Sequence, residues 1–427
     1  MNIIRIMVLC IVIVFQCTHK IYAQDTLKLT IEQAEKQFLE KNLQLLAERY
    51  NIDIAVAAIV QAKLFNNPTL SIGDINFWNS NTFKELDISS TSFGNRIIFS
   101  TQLEQMIRTA GKKRKLVDVE KISKEITIQE FEVFLLGLKI ELRTTLLEAI
   151  YLQSYLEIIK MLDENINNLV EKFKIQSTNG NIAKSELIRL QSSLIELETE
   201  ANEIRIELNK QYKDIKMLLN INPETEFSLV NSTSTVKNPA EISLPDLLET
   251  AKKSRPEFLL SDLSVQHNEK LLRYEKSQRS PDVGVNLNYD RYGGVWKNFF
   301  GIGVSVDIPA FNRNQGNIKM AKLQIEQSNY NAEYQKNTVL NEVIEIYNNY
   351  QINYNFYKKV ADNDFSEDLE NMLEVYSRNF LNKNINMLEY IDFMYAYKTT
   401  KQAILTAKKN LDTSFADLQF SINNVIN

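Results

Sequence analysis

The sequence predicts a mainly α-helical protein with a small β part, built from two copies of one structural unit. Leu46 and Leu259 lie 213 positions apart, and the same shift brings Pro68 onto Pro281. A repeat of about 200 residues is longer than the period of solenoid proteins, so it indicates a duplicated domain half. The chain has only Gly 11 and Pro 7 in 427 residues. Very long helices are therefore permitted.

Residues 1–23 have the pattern of a cleaved signal peptide. An apolar run from Ile3 to Phe15 is followed by a polar stretch, and the small residue Ala23 suits cleavage. One alternative is a membrane anchor, but the run is shorter than the roughly 20 residues that span a bilayer. Another is lipidation at Cys17, which the preceding Gln16 disfavours. We therefore predict export and removal of this segment.

The composition of the remaining chain disfavours enzymes and nucleic-acid binding. Both cysteines, Cys10 and Cys17, lie in the signal segment, so no disulfide or thiolate site is left. A single histidine, His267, cannot build a histidine metal site, and no glycine-rich phosphate loop precedes a helix. The formal charge of −5 becomes −7 without Arg5 and Lys20. We predict no catalytic residue, no cofactor, no bound metal and no nucleic-acid partner.

The first repeat is predicted at 24–222. Ile31 and Phe38 belong to an apolar pattern with helical spacing, and Pro68 ends it before an alternating run. Gly137 is the one breaker in the longest segment. At 1.5 Å per residue that segment would extend about 100 Å. The predicted elements are a helix at 30–66, a β-hairpin at 68–105, a long helix at 111–177 and a helix at 182–220.

The second repeat is predicted at 244–427, after an irregular linker at 223–243. Val283 and Val285 alternate with small or polar residues and begin a hairpin, as in the first repeat. No glycine or proline follows Gly316. The predicted elements are a helix at 244–279, a β-hairpin at 281–309, a long helix at 316–380 and a helix at 385–424.

The last helix of each repeat carries a heptad pattern, with core positions that step by three and four residues. The seam of the first is Leu187, Leu190, Leu194, Leu197, Ala201, Ile204, Leu208, Gln211, Ile215 and Leu218. The seam of the second is Tyr390, Phe393, Tyr397, Thr400, Ile404, Ala407, Leu411, Ser414 and Leu418. These patterns predict helices that pack along their whole length.

The two hairpins have the alternation of strands in an outer-membrane wall, with apolar side chains toward lipid and polar ones toward a lumen. Trp78, Tyr289, Trp296 and Phe299 are the predicted membrane-interface aromatics. The alternative is a small soluble sheet with buried aromatic side chains. Four strands cannot close a barrel, because small barrels need about eight. An oligomer must supply the others, and three copies would give twelve.

Three segments carry a family resemblance. They are Leu29-Thr-Ile-Glu-Gln-Ala34 at the start of the first repeat, Glu104-Gln-Met-Ile-Arg-Thr-Ala-Gly-Lys-Lys-Arg114 at its strand-to-helix junction, and Ile308-Pro-Ala-Phe-Asn-Arg-Asn-Gln-Gly316 at the matching junction. With these segments the chain resembles the TolC family of outer-membrane efflux channels, in particular its cation and heavy-metal branch. Each motif is loose, but their order and duplication over some 400 residues make the match specific.

The resemblance implies a homotrimer in the outer membrane of a Gram-negative bacterium, with a large periplasmic extension. It implies a twelve-stranded β-barrel, four strands per chain, above a trimeric α-barrel conduit. A periplasmic adaptor and an inner-membrane pump would be its partners, and substrates, including metal cations, would pass without covalent chemistry. The alternative is an exported periplasmic coiled-coil adaptor or structural protein without a pore.

The resemblance also implies a periplasmic gate at Glu389 and Asp392. These acidic residues are spaced three apart, so they share one helical face, which Ala396, Thr399 and Ala403 continue with small side chains. Threefold symmetry would gather six carboxylates around the axis and favour cations over anions. The alternative is an ordinary solvated helix face.

The turns between the helices of each repeat are the predicted adaptor-docking tips, because they are the ends of helical hairpins. The residues are Asn179, Gly180, Asn181, Ile182, Asn382, Lys383, Asn384 and Ile385. Lys383 stands where the family usually has glycine. The alternative is a pair of ordinary helix-to-helix turns without a partner.

Overall fold

A computed structural model describes residues 27–75, 99–179, 182–230, 236–291, 296, 298–361 and 363–426, with the backbone alone for 363–366. The predicted signal peptide at 1–23, with Cys17, lies outside these residues. The first repeat contains β1 (Leu27–Leu29), α1 (Ile31–Lys41), α2 (Leu43–Lys63), β2 (Thr69–Gly73), β3 (Phe99–Ile107), α3 (Lys112–Thr178), α4 (Lys184–Leu219) and β4 (Phe227–Leu229).

The second repeat follows a short 3₁₀ helix at Pro239–Glu241. Its elements are α5 (Leu244–Ser254), α6 (Pro256–Ser277), β5 (Val283–Arg291), β6 (Asn298–Val306), α7 (Gln315–Val360), α8 (Asn363–Leu381) and α9 (Met387–Ser421). The predicted class, mainly α with a small β part, is therefore confirmed.

The first helix of each repeat is interrupted, so the predictions of a single helix at 30–66 and at 244–279 are wrong. Asn42 separates α1 from α2 with an extended ψ of 119°, and its side-chain amide donates to the Leu218 carbonyl at 2.8 Å. Arg255 separates α5 from α6, also with ψ 119°, and donates to the Ser421 carbonyl at 3.1 Å. Proline at 256 disfavours helical geometry at the preceding residue.

The two interruptions are equivalent in the repeats. Asn42 and Arg255 are 213 positions apart, which is the shift that relates the first helices. In each case a buried polar side chain binds a carbonyl in the last turn of the repeat's final helix. These carbonyls have no intrahelical partner, so the interruption supplies the hydrogen bond that the helix end needs.

Replacing Asn42 with alanine is expected to destabilise the protein by about 1–2 kcal/mol, because the Leu218 carbonyl would be left buried without this donor. Thermal unfolding of the purified protein in detergent measures the change. Asn51→Ala is the matched control, since Asn51 is exposed and its side-chain amide donates to the Glu48 carboxylate at 2.7 Å, three residues away on the same helix. Equal melting temperatures for the two variants would contradict the role assigned to Asn42.

The long helix predicted at 316–380 is also interrupted. α7 ends at Val360 and α8 begins at Asn363, whereas α3 continues for 67 residues through Gly137. The sequence at 361–364 is Ala-Asp-Asn-Asp, and aspartate and asparagine have low intrinsic helix propensity. The prediction failed because it treated only glycine and proline as helix breakers.

Two sheets form from distant strands. β1 pairs in parallel with β4, which the sequence did not predict because each strand has only three residues. The second sheet is antiparallel with the order β2-β3-β5-β6. Its central pairing joins the hairpins of the two repeats, with Leu103 opposite Leu287 and Ile107 opposite Val283.

The chain divides into two structural units. The first comprises the residues up to Leu43, Leu138–Glu241 and Asn349–Asp417. Its fully buried side chains include Phe38, Leu142, Leu146, Ile159, Leu190, Ile215, Tyr350 and Tyr390. Three of them, Leu190, Ile215 and Tyr390, lie on the predicted seams.

The second unit comprises Gln44–Gly137, Ile242–Asn348 and the residues from Leu418 onward. It contains the four-stranded sheet and the helix ends that adjoin it. Ile59, Ala62 and Val117 form an apolar cluster between α2 and α3.

Candidate functional site

The predicted gate residues lie at the start of α9. Glu389 and Asp392 are exposed, and so are Ala396, Thr399 and Ala403, which continue the same face. The Glu389 carboxylate accepts from the Asn386 N–H at 3.0 Å, and the Asn386 side chain accepts from the Glu389 N–H at 3.0 Å. This reciprocal pair is a capping box that fixes where α9 begins. Glu389 therefore has a structural role that the sequence analysis did not identify.

The opposite face of α9 is anchored by stacked aromatic rings. Tyr390 is fully buried and stacks on Phe380 with centroids 4.7 Å apart, and Phe380 stacks on Phe173 at 5.3 Å. Burial raises the pKa of the Tyr390 hydroxyl. Because this face is committed to the chain's own core, Glu389 and Asp392 point away from it.

Lysines along α9 bind acidic residues on three other helices of the first unit. Lys398 contacts Glu200 of α4 at 2.7 Å, and Tyr155 of α3 donates to the same carboxylate. Lys409 contacts Glu148 of α3 at 2.8 Å, and Lys401 contacts Glu370 of α8 at 2.5 Å. The pairs of Lys398 and Lys409 are half-buried, whereas Glu370 is exposed. Together the three pairs fix the rotation of α9 about its own axis, and with it the direction of the acidic face.

The Tyr151 ring joins Lys409 and Tyr155 and strengthens the packing of α9 on α3. The Lys409 ammonium lies 4.5 Å from the centroid of the Tyr151 ring, and Tyr151 stacks on Tyr155 at 6.1 Å. Burial, and then the hydrogen bond that the hydroxyl donates to the Glu200 carboxylate, raise the pKa of the Tyr155 hydroxyl well above its ordinary range. Tyr155 therefore stays protonated and remains a donor to Glu200.

The tip between α8 and α9 is a tight turn with exposed polar residues. Lys383 has a φ of +61°, a left-handed conformation that glycine adopts without strain. The Asn384 N–H donates to the Asn379 carbonyl at 2.9 Å, and the Lys383 N–H donates to the Phe380 carbonyl at 3.0 Å. The turn therefore keeps the geometry of a glycine-terminated helix although lysine occupies the position.

The remaining tip residues are mostly exposed where they are described. Asn179, Asn382 and Asn384 are exposed, whereas Ile182 and Ile385 are half-buried. Gly180 and Asn181 lie outside the described residues, as does Trp78.

The four-stranded sheet has one apolar and one polar face. Leu103, Leu287 and Ile302 form a row across β3, β5 and β6, and each is exposed. The residues of this face are Leu70, Ile72, Phe99, Thr101, Leu103, Gln105, Ile107, Val283, Val285, Leu287, Tyr289, Arg291, Asn298, Phe300, Ile302, Val304 and Val306, of which Thr101, Gln105, Arg291 and Asn298 are polar. A regular alternation of this kind suits a wall between lipid and water.

On the polar face, side chains of the two strands that flank β5 contact each other across Gly284. Ser305 donates to the Glu104 carboxylate at 3.2 Å, directly above Gly284. A Cβ atom on Gly284 would lie 2.2 Å from the Ser305 hydroxyl oxygen. Glycine is therefore required at 284 for this cross-strand contact.

The predicted interface aromatics are divided between the two faces. Tyr289 lies on the apolar face, where its ring is 4.7 Å from that of Phe300. Phe299 pairs with Asp290 on the polar face, because neighbouring residues of a strand point in opposite directions. Trp296, before β6, is 70% exposed. Phe300, which is 78% exposed, lies opposite Tyr289 on the apolar face.

The junction between β3 and α3 contains a buried ion pair that the sequence analysis missed. Lys112 is only 5% exposed, and its ammonium contacts the Asp282 carboxylate at 2.8 Å. The Thr109 N–H donates to the same carboxylate at 2.9 Å. Burial favours the neutral acid, but the hydrogen bonds from Lys112 and Thr109 and the charges of Lys112 and Arg108 outweigh it. The net result holds the Asp282 pKa below its usual value.

A metal site and a membrane-spanning helix each have requirements that the described part of the chain does not meet. It contains no group of three or more His, Cys, Asp or Glu side chains arranged to hold a metal ion. Among the helices described, none combines the length and the apolar character needed to cross a membrane.

Comparisons with known proteins find a curated relative and several solved structures of similar fold. The chain is 23% identical over 307 residues to the cobalt-zinc-cadmium resistance protein CzcC of Cupriavidus metallidurans, covering 70% of this chain and 68% of that protein. A crystal structure of CusC, described as a transmembrane channel, superposes with a TM-score of 0.72 at 15% identity, covering 96% of both chains.

A second solved structure gives the same result. The Campylobacter jejuni CmeC outer-membrane channel superposes with a TM-score of 0.74 at 14% identity, covering 92% of this chain and 85% of that one. No family model matches the chain. At these identities the structural likeness establishes the fold, which is that of outer-membrane channels.

Proposed function

We propose, from the premise that this chain has the fold of the TolC family of outer-membrane channels, that it is the outer-membrane component of a tripartite efflux system. It would conduct substrate passively from a periplasmic adaptor and an inner-membrane pump to the exterior. It would not be an enzyme. The observation that carries the proposal is the four-stranded sheet, whose exposed apolar face and polar face suit a membrane wall.

The proposed assembly is a homotrimer whose sheets form a twelve-stranded barrel in the outer membrane of a Gram-negative bacterium. β2 and β6 are the edges of the sheet among the described strands. An exposed sheet edge invites pairing, and closing a barrel removes edges altogether. Four strands are also too few for a barrel, so a neighbouring chain must supply the next strand at each edge.

The helices of the three chains would form a conduit through the periplasm, with the gate at Glu389 and Asp392. Both carboxylates are exposed in the single chain, on a face otherwise lined by small residues. Around a threefold axis they would make a narrow acidic ring. The tips at 179–182 and 382–385 would contact the adaptor.

The cargo proposed here is a divalent metal cation. CzcC, which is similar over 307 residues, is a cobalt-zinc-cadmium resistance protein. The acidic gate favours passage of cations without binding them tightly, since two carboxylates per chain offer no complete ligand set. In this proposal the metal is substrate and not a resident cofactor.

A lysine on the apolar face of the sheet is expected to prevent membrane insertion. Ile302 lies at the centre of β6 and is 80% exposed, so Ile302→Lys places a charge near the middle of the membrane. Such a charge costs about 2–4 kcal/mol at the bilayer midplane. Fractionation of a Gram-negative host that expresses the protein should show wild type in the outer membrane and a large loss of Ile302→Lys from that fraction.

The control is Gln102→Lys, because Gln102 lies on the polar face, opposite Asn288, in the row next to that of Ile302. This variant should reach the outer membrane in wild-type amounts. Recovery of the wild-type protein in the soluble periplasm would instead support an adaptor or structural protein without a pore. Equal behaviour of the two lysine variants would argue against a lipid-facing sheet.

A further inference from the structure

Basic side chains gather where the sheet meets the helices. Six of them, here named the basic collar, lie within eight residues of a strand end. The collar comprises Arg108, Lys113, Arg114, Lys115, Arg279 and Arg313. Arg108, Arg114, Arg279 and Arg313 are exposed, and the two lysines are half-buried. All six belong to the second unit.

The nearby carboxylates make their hydrogen bonds with groups outside the collar. The charge of Arg108 lowers the Asp282 pKa, but the Asp282 carboxylate is bound by Lys112. The Glu275 carboxylate accepts from the Asn314 side chain at 2.6 Å. Lys115 and Arg313 donate to the uncharged carbonyls of Ala110 and Ala310. Within the described part of the chain, no collar residue forms an ion pair with a carboxylate. The collar is therefore an open site for negative charge.

The apolar face of the sheet ends directly at the collar. Ile107, Val283 and Val306 form its last row, and Arg108 is the next residue after Ile107. Further along the chain, Ile308 is 82% exposed and Phe311 is 96% exposed. A surface that changes from apolar to basic over a few residues matches the boundary between hydrocarbon and phospholipid headgroups.

One collar residue shows the amphipathic arrangement in detail. The Lys113 ammonium lies 3.4 Å from the centroid of the Phe65 ring, and Phe65 is 81% exposed. A ring that carries an ammonium on its face can stay in the interfacial region while the charge reaches water or a phosphate. The pair therefore presents apolar and cationic groups at one level.

We propose that the basic collar binds the anionic headgroups of phospholipids in the periplasmic leaflet of the membrane. The inference rests on the proposed function, which places the apolar face of the sheet in the bilayer. The charge of the collar is complementary to a headgroup phosphate, and arginine side chains can donate two hydrogen bonds to one phosphate. The collar would fix the depth of the protein and enrich anionic lipids around it.

The test compares lipid binding by three forms of the full-length protein in neutral detergent, using phosphatidylglycerol and phosphatidylcholine as probes. Native mass spectrometry counts the bound lipids at each concentration. Wild type is expected to bind phosphatidylglycerol roughly tenfold more tightly than phosphatidylcholine, with the difference shrinking at high salt. Arg108→Gln/Arg114→Gln/Arg279→Gln is expected to lose the preference.

The control is Lys36→Gln/Lys172→Gln/Arg189→Gln, which removes three exposed charges from the first unit. It should keep the wild-type preference. If wild type binds both lipids equally, or if the control loses the preference as fully as the collar variant, the proposal fails. Should the collar variant not fold, the salt dependence of wild type decides alone, since a preference that survives high salt contradicts an electrostatic collar.

Conductance of the same samples in planar bilayers separates this proposal from the proposed function. Ion conductance without a preference for phosphatidylglycerol would contradict lipid binding by the collar and support the channel. A preference for phosphatidylglycerol without any conductance would contradict the channel and support an anionic lipid site.

Discussion

Replacing Lys112 with methionine is expected to lower the free energy of unfolding by about 2–3 kcal/mol, because the Asp282 carboxylate would lose its counter-charge. This cost is smaller than the roughly 3–5 kcal/mol for removing one partner of a fully buried pair, because the Asp282 side chain is 30% exposed. Methionine retains most of the apolar contact of the lysine stem. Thermal or denaturant unfolding of the purified protein in detergent measures the change.

Two further variants make this measurement specific. Lys174→Met removes the exposed pair with Glu171 at 2.6 Å and should cost no more than about 0.5 kcal/mol. Lys112→Met with Asp282→Asn should recover part of the lost stability, because no unpaired charge remains. A double variant as unstable as Lys112→Met alone would show that the ion pair is not the cause.

The lowered pKa of Asp282 also predicts how stability depends on pH. Its carboxylate contributes stability above the unfolded-state pKa of about 3.9, and this contribution is lost as the pH falls through the lower folded value. Wild-type stability should therefore decline on acidification below about pH 4. Asp282→Asn should decline less over the same range.

Removing both gate carboxylates is expected to widen the pore and weaken its cation preference. In the proposed trimer, Glu389→Ala/Asp392→Ala deletes six charges and shortens six side chains at the constriction. Each charge contributes about 1 kcal/mol at 4 Å from an ion in water, so cation preference should fall roughly fivefold or more. Single-channel recordings should show higher conductance and a reversal potential closer to zero in a salt gradient.

The isosteric variant Glu389→Gln/Asp392→Asn separates charge from size. It keeps the side-chain volume, and glutamine at 389 can retain the capping box with Asn386. Its cation preference should fall, whereas its conductance should rise less than in the alanine variant. Unchanged selectivity in both variants would contradict the assignment of the gate to α9.

Local sequence patterns predicted the elements that depend on local periodicity. Leu190 and Tyr397 were assigned to the helix seams and are buried, and the alternation of Val304 and Val306 in β6 was read correctly. These features follow from residues a few positions apart in the chain, so the sequence alone contains them. The acidic face at Glu389 and Asp392 is exposed as well, although its role in a gate remains a prediction.

The features that sequence analysis missed depend on contacts between distant residues. Asn42 interrupts a helix where it binds a carbonyl 176 positions away, and Lys112 pairs with a carboxylate 170 positions away. No local pattern encodes either partner. The faces of Phe299 and Phe300 were also unresolved, because only strand register decides which of two adjacent aromatic residues shares a face with Tyr289.

Channel formation is tested most directly by ion conductance of the purified protein in planar bilayers, recorded for wild type and for Glu389→Ala/Asp392→Ala. We expect discrete conductance steps, with larger steps and weaker cation preference in the variant. Insertion of both proteins into the bilayer without conductance from either would contradict the central claim that this chain forms a channel.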